Sequence, residues 1–199
     1  MAITALAASA FAQGTVALQN ATGLVQQWTS PTDSTLMSVP KNGGYIELLA
    51  APAGTALVGN ITTYSSLSGF LGINPLWHVG TSAGGPGFPI ALAPGLFNSG
   101  TVTIGNIGVG ASAEYLLIGW TGAFTTYDAA FAANTGTGMF GQSAVTTTAT
   151  GDPTITPPGF PTSLRLSFGG MTLSPVPEPA TFALAGLGLA ALVAFRRRS

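Results

Sequence analysis

Few side chains in this sequence could carry out hydrolysis, and they do not make a complete catalytic set. His78 is the sole histidine, so a Ser-His-Asp hydrolase would have to use it. Its partner would be one of three aspartates: Asp33, Asp128 or Asp152. Serine is too abundant to single out one nucleophile. We therefore predict that the protein is not an enzyme.

A glycosidase would instead need two carboxyl groups close together. Glu47 and Glu114 are the candidates, and both lie in predicted strands among apolar neighbours. A glutamate at such a position ordinarily points to solvent from the open face of its strand. A secreted hydrolase is therefore the weakest alternative for this protein.

Metal and cofactor chemistry has little support in the sequence. The chain has no cysteine, which excludes a thiolate zinc site and a cysteine nucleophile. Calcium needs several oxygen ligands in one place, whereas the acidic residues are scattered singly along the chain. We therefore expect neither a metal site nor a cofactor.

Trp77 is the residue best suited to contact a glycan, because an aromatic ring can stack on a sugar. It lies in a stretch rich in glycine and proline, 69–98, that we expect to be a long, partly ordered loop. If the protein is a glycan-binding adhesin, which is the main alternative, Trp77 is predicted to make the contact.

Charge is sparse between residues 13 and 174, and it is slightly acidic. Two basic residues, Lys41 and Arg165, stand against five acidic ones. Binding to nucleic acid needs clustered lysine and arginine, so we exclude that class of partner. A surface of threonine, serine, glycine and asparagine fits a secreted protein better than a cytoplasmic one.

The C-terminal residues combine a short motif, an apolar run and a basic cluster. The motif is Val176, Pro177, Glu178 and Pro179, and the cluster is Arg196, Arg197 and Arg198. Between them, the uncharged run 180–195 would span roughly 24 Å as a helix. Because arginine side chains at its end can reach the lipid head groups, we predict a single transmembrane helix at 180–195. The arginines place that end in the cytoplasm.

This arrangement resembles the PEP-CTERM sorting signal of Gram-negative bacteria, with the motif, helix and arginines in the same order. The resemblance covers 175–199 and implies recognition by an exosortase, an integral-membrane, transpeptidase-like enzyme that removes the tail. It also implies delivery to the cell surface or extracellular matrix, and association with exopolysaccharide. The leading interpretation is an exported surface or matrix protein that is transiently anchored in the membrane.

The first residues predict a secretion signal. Residues 1–12 are apolar and end in Ala10, Phe11 and Ala12, the small-x-small pattern that signal peptidase requires. Cleavage there would make Gln13 the mature N-terminus. Since no lysine or arginine precedes Lys41, we expect the natural start to lie upstream and the signal helix to be truncated.

The remaining residues, 13–174, predict one extracellular all-β domain, an antiparallel β-sandwich. Short β-branched and aromatic runs alternate with glycine, proline and asparagine, and several have the period of two that places one face on a core. Strands are predicted at 14–19, 45–50, 56–64, 100–107, 113–121, 143–150 and 163–173. A short helix is predicted at 127–134, and 151–161 is predicted to be an extended connection.

Overall fold

The computed structural model describes residues 13–21, 23–134, 136–152, 155, 159–176 and 196. These residues form mostly β-structure, as the sequence predicts. The strands are β1 (Gln13–Gln19), β2 (Val25–Ser30), β3 (Asp33–Ser38), β4 (Gly44–Pro52), β5 (His78–Val79), β6 (Gly87–Pro89), β7 (Asn98–Gly108), β8 (Ser112–Thr121), β9 (Met139–Gln142), β10 (Thr146–Ala149), β11 (Thr162–Ser163) and β12 (Met171–Pro175). The helices are α1 (Leu67–Ile73), α2 (Tyr127–Ala132) and a 3-10 helix (Ile61–Thr63).

The strands form two sheets that are not purely antiparallel. The small sheet has the order β11-β1-β7. The large sheet has the order β3-β2-β12-β9-β8-β4-β5, with β10 beside β8 and β6 beside β4. The antiparallel prediction is wrong for two pairs, because β1 runs parallel to β11 and β12 runs parallel to β2. Parallel neighbours need a long crossover, and each of these pairs joins distant parts of the chain.

The two sheets share one apolar core. Alternate residues of β1 and β7, such as Val16, Leu18 and Val102, pack in one cluster with Leu48 of β4 and Leu173 of β12. All five side chains are fully buried. This packing follows from the period of two, since every second side chain of a strand points toward the facing sheet.

A second core, here called the helix-side core, lies on the other face of the large sheet. Its buried members are Leu49, Ala51, Ile61, Phe70, Trp77, Leu116, Ile118, Trp120, Tyr127, Ala130 and Phe140. Apart from Trp77, which lies between α1 and β5, they come from the central strands and from the helices that cover them. Strands β4 and β8 are therefore buried on both faces, and the domain has a helical layer that the sequence interpretation lacks.

Polar side chains fix where the short helices lie. Ser66 caps α1 and Thr126 caps α2, each accepting a hydrogen bond from the backbone N–H three residues later, at 3.1 and 3.3 Å. The Tyr127 hydroxyl lies 2.9 Å from the Ile61 carbonyl oxygen and 2.8 Å from that of Tyr64. This hydroxyl connects α2 to the 3-10 helix inside the core.

Four predicted strands and the predicted helix are confirmed. The matching pairs are 14–19 with β1, 45–50 with β4, 100–107 with β7, 113–121 with β8, and 127–134 with the slightly shorter α2. The four strands have apolar residues at regular spacing or in unbroken runs. That pattern is the strongest signal that a single sequence carries.

Other predicted elements are wrong. Residues 56–64 form a loop and the 3-10 helix instead of a strand, and the predicted strand 143–150 is reduced to β10. The predicted strand 163–173 is two strands, β11 and β12, separated by a turn. The predicted loop 69–98 contains most of α1 together with β5 and β6.

Both predicted terminal segments lie outside the described residues: the signal helix in 1–12 and the transmembrane helix at 180–195. In the part of the chain that is described, no helix is long and apolar enough to cross a membrane. The predicted connection 151–161 is described at 151, 152, 155 and 159–161; within it, Gly151 forms a bridge with Thr15 of β1, and the Gly159 N–H donates a hydrogen bond to the Asp152 carbonyl oxygen at 2.8 Å.

We predict that Gly141→Ala destabilises the domain. Gly141 lies in β9 beside β12, and a Cβ there would overlap the Thr172 carbonyl oxygen. Separating the two strands should lower the free energy of unfolding by about 2 kcal/mol or more, measured by urea denaturation. Gly169→Ala is the control, because a Cβ there meets no atom within 4 Å. Equal losses of stability in the two variants would contradict the prediction.

Candidate functional site

The C-terminal end of the described fold is the first candidate site, because the sequence motif continues from it. Strand β12 lies inside the large sheet, between β2 and β9. Its last residue, Pro175, pairs with Met139 of β9. The next residue, Val176, is half-buried and packs against the helix-side core. The first residue of the Val-Pro-Glu-Pro motif therefore belongs to the folded domain.

Asn134 holds the backbone of Val176 from the loop after α2. Its Nδ2 donates a hydrogen bond to the Val176 carbonyl oxygen at 3.4 Å, which is long for such a bond. Its Oδ1 accepts hydrogen bonds from the Gly136 N–H at 3.0 Å and the Gly138 N–H at 2.9 Å. A Cβ at position 138 would come within 2.9 Å of Oδ1, so glycine allows the close approach. The sequence interpretation missed Asn134, although an asparagine followed by glycines after a helix is a recognisable turn signal.

The predicted signal peptidase site, after Ala12, is adjacent to a strand. β1 begins at Gln13, the residue after the predicted cleavage site at Ala12. Gln13 is exposed and pairs with Gly108 of β7. Since β1 lies between β11 and β7, the predicted mature N-terminus, Gln13, is part of a central strand.

The remaining residues predicted for processing lie mostly outside the described part. These are Ala10 and Ala12 at the front, and Pro177, Glu178, Pro179, Arg197 and Arg198 at the end. Arg196 is described and is exposed.

His78, Asp33 and Asp128 are residues considered for a Ser-His-Asp hydrolase. His78 begins β5 and is exposed. Asp33 accepts a hydrogen bond from the Thr35 N–H at 3.0 Å, and the bonds from Thr35 hold the pKa of Asp33 below its usual value. Asp128 accepts a hydrogen bond from the Leu67 N–H at 2.6 Å, at the start of α1. Each of the two aspartates therefore accepts a hydrogen bond from a backbone N–H.

Residues 80–84 fit a Gly-x-Ser-x-Gly pattern, in which Ser82 would be the nucleophile of an α/β-hydrolase. That chemistry requires the serine on a sharp turn from a strand into a helix. Here Ser82 lies just after a bridge between Thr81 and Thr103, and strand β6 follows it. Its hydroxyl donates to the Gly85 carbonyl oxygen at 3.2 Å. The pattern therefore lacks the backbone context of a nucleophile.

The two glutamates considered for glycoside cleavage are far apart. Glu47 lies opposite Ile118 in the β4–β8 ladder, four positions from Glu114 on β8. At the usual rise of a strand, this separates them by roughly 13 Å, which exceeds the spacing of glycosidase carboxyl pairs. Glu114 accepts a hydrogen bond from the Gly54 N–H at 3.0 Å.

Glu47 is buried, which contradicts its expected position on an open face. Only 2% of the residue is exposed, and its Oε2 has no hydrogen-bond partner. Burial, with a smaller contribution from the negative charge of Asp128, raises the pKa of Glu47 to about 7. Because Glu47 shares the β4 face of Leu49, it lies beneath the helical layer and not in a cleft.

The prediction that Trp77 is exposed is wrong. The residue is 2% exposed and belongs to the helix-side core together with Phe70 of α1. Its indole N–H donates a hydrogen bond to the Ala56 carbonyl oxygen at 3.2 Å. Because a helix forms inside the expected loop, the ring of Trp77 has no open face on which a sugar could stack.

An open groove of about 580 Å³ lies between β6 and the start of β7. Its lining includes Ser82, Phe88, Asn98 and Thr101, and none of its lining residues is charged. Ser99 also lines it, and the buried Ser99 hydroxyl has no hydrogen-bond partner. Within the described ranges, no three histidine, aspartate or glutamate residues are placed to hold a metal ion.

Comparison with protein families matches residues 175–198 to the PEP-CTERM protein-sorting motif. This match confirms the resemblance seen in the tail: the chain carries the PEP-CTERM protein-sorting motif at its C-terminal end. Such a signal implies export, sorting to the surface or exterior, and processing by an exosortase. No curated protein and no solved structure matches the chain.

We predict that Glu47→Gln removes a pH dependence of stability. Because folding raises the pKa of Glu47 from 4.5 to about 7, the folded state binds the proton more tightly than the unfolded state. The contribution of Glu47 to the free energy of unfolding is therefore most favourable below pH 4.5, falls between pH 4.5 and 7, and stays low above pH 7. At pH 8 the variant should be more stable than the wild type by on the order of 3 kcal/mol, and at pH 4 the two should be nearly equal. Urea denaturation at both pH values measures this, and a constant difference between the proteins would refute it.

Proposed function

We propose that this is a non-enzymatic protein of the cell surface or extracellular matrix, released from a membrane-anchored precursor by an exosortase. The observation that carries the proposal is the match of residues 175–198 to the sorting motif. In the proposed precursor, the helix at 180–195 holds the protein in the membrane. Removal of the tail near Glu178 then frees the domain.

The position of the fold within the chain supports this sequence of events. Gln13, the residue after the predicted signal cleavage site, is already part of β1, and β12 ends at Pro175, where the sorting motif begins. Cuts after Ala12 and near Glu178 would therefore leave the described strands intact. A cut a few residues further inside at either end would remove part of a central strand.

A non-enzymatic role is supported by the positions of the candidate catalytic residues. Glu47 lies under the helical layer, and Glu114 is four positions away along the neighbouring strand. Ser82 lies in a turn before a strand, and not in the strand-to-helix turn of a hydrolase. None of these arrangements brings a nucleophile, a base and an open cleft together.

We propose exopolysaccharide of the matrix as the partner of the released domain, as the resemblance implies. The domain offers mainly hydroxyl and amide groups and few charges. The groove between β6 and β7 has no charged lining residue. Ser82, Asn98, Ser99 and Thr101 offer hydroxyl and amide groups there and the other lining residues are apolar or glycine, which suits an uncharged ligand. Trp77 gives no support to a glycan-binding adhesin, because its ring is buried.

We predict that replacing Pro177, Glu178 and Pro179 by alanine blocks removal of the tail. The reason is that these residues form the centre of the matched motif. The measurement is the mass of the protein in a host that carries an exosortase, with a host lacking the enzyme as control. In the host that carries the exosortase, the variant should keep its tail, as the wild type does in the host that lacks the enzyme. Normal removal of the tail from the variant would refute the proposal.

We also predict the ends of the surface form. In a host that carries an exosortase, the intact mass of the released protein should correspond to a chain that begins at Gln13 and lacks Arg196, Arg197 and Arg198. A released species that keeps the residues before Gln13 would show that the signal is cut elsewhere. A form that retains the arginines in the membrane would indicate a permanently anchored envelope protein.

A further inference from the structure

The sorting motif begins inside the folded domain. Its first two matched residues are Pro175, which pairs with Met139, and Val176, which packs against the helix-side core. Two further residues span at most roughly 7 Å, so Glu178 stays within that distance of Val176. An enzyme that acts at Glu178 must therefore work beside the surface of the domain, and the direction in which the chain leaves that surface matters.

Asn134 binds the residue that follows β12. The two hydrogen bonds to its Oδ1, from Gly136 and Gly138, fix the plane of the amide group. With that plane fixed, Nδ2 has a defined direction and holds the Val176 carbonyl oxygen. The Val176 carbonyl belongs to the peptide bond that leads into Pro177. Asn134 thus acts at the last peptide unit before the Pro-Glu-Pro sequence.

We infer that Asn134 is a positioning residue for tail processing. It holds the Val176 carbonyl so that the following motif residues leave the domain in one direction and reach the active site of the exosortase. The inference rests on the proposed function, since it requires that an exosortase acts on this tail. Without the bond, the motif would leave over a wider range of angles, and fewer encounters would be productive.

Asn134→Asp is the most selective variant to test this. Aspartate keeps an oxygen that accepts from Gly136 and Gly138, but it has no N–H to donate to Val176. In the full precursor, in a host with an exosortase, pulse-chase labelling should show tail removal slowed by about threefold or more. Asn134→Ala, which adds no charge, should slow it as well. Thr137→Ala is the matched control, because Thr137 is an exposed residue of the same loop, and it should keep the wild-type rate.

A spacer separates positioning from a purely structural role. Six glycine and serine residues followed by a second valine, inserted between Val176 and Pro177, keep a complete Val-Pro-Glu-Pro sequence and uncouple it from the domain, because a flexible linker loses the direction set at its start. The spacer alone should slow tail removal, and Asn134→Asp should then have no further effect. If the variant merely weakened the fold, its effect would persist with the spacer present.

Three outcomes would overturn the inference: unchanged processing of Asn134→Asp, faster processing of it, or a slowing that the spacer leaves in place. Faster processing would mean that the contact hinders the enzyme. The variant with alanine at Pro177, Glu178 and Pro179 is run beside these proteins. If that variant is processed normally, the proposed function itself fails. If it is blocked while Asn134→Asp behaves as the wild type, the inference about Asn134 fails alone.

Discussion

The pairing of β12 with its two neighbours is the interaction on which the rest of the structure depends. β12 runs parallel to β2 and antiparallel to β9, so it connects the β2–β3 hairpin to the rest of the large sheet. Residue 141 has to be glycine because the backbone of β12 approaches so closely. The strand that completes the sheet is also the strand that leads into the sorting signal, so the chain must be made up to the signal before the sheet can close.

Burial on both faces of β4 and β8 is the second constraint. It allows one pair of strands to hold two cores together, with the small sheet on one side and the helices on the other. The same arrangement encloses Glu47, whose carboxyl loses its hydration and gains no hydrogen bond at Oε2. In a domain with so few charges, this buried acid is the clearest conflict between local chemistry and the overall fold.

The strands with strong apolar patterns could be predicted from the sequence, and so could the sorting signal. The apolar runs in β4 and β8 also indicate burial on both faces. Such burial requires a layer on each side of the sheet, and the helices form one of them. The sequence of the β2–β3 hairpin carries little apolar pattern, because glutamine, threonine and serine fill much of it and β3 is almost wholly exposed. The burial of Trp77 depends on α1, a helix of seven residues with two glycines, which has too little local signal to be foreseen.

The prolines of the motif explain why the junction between domain and tail is so short. Pro175 has no backbone N–H to donate and ends the ladder with β9, as a proline does at the end of a strand. Pro177 restricts Val176 to extended conformations, so the chain cannot turn back into a helix at that point. Beyond the end of this ladder, the carbonyl oxygen of Val176 accepts a hydrogen bond from the side chain of Asn134. The residues that mark the sorting motif thus also end the sheet, and the boundary follows from backbone chemistry within two or three residues.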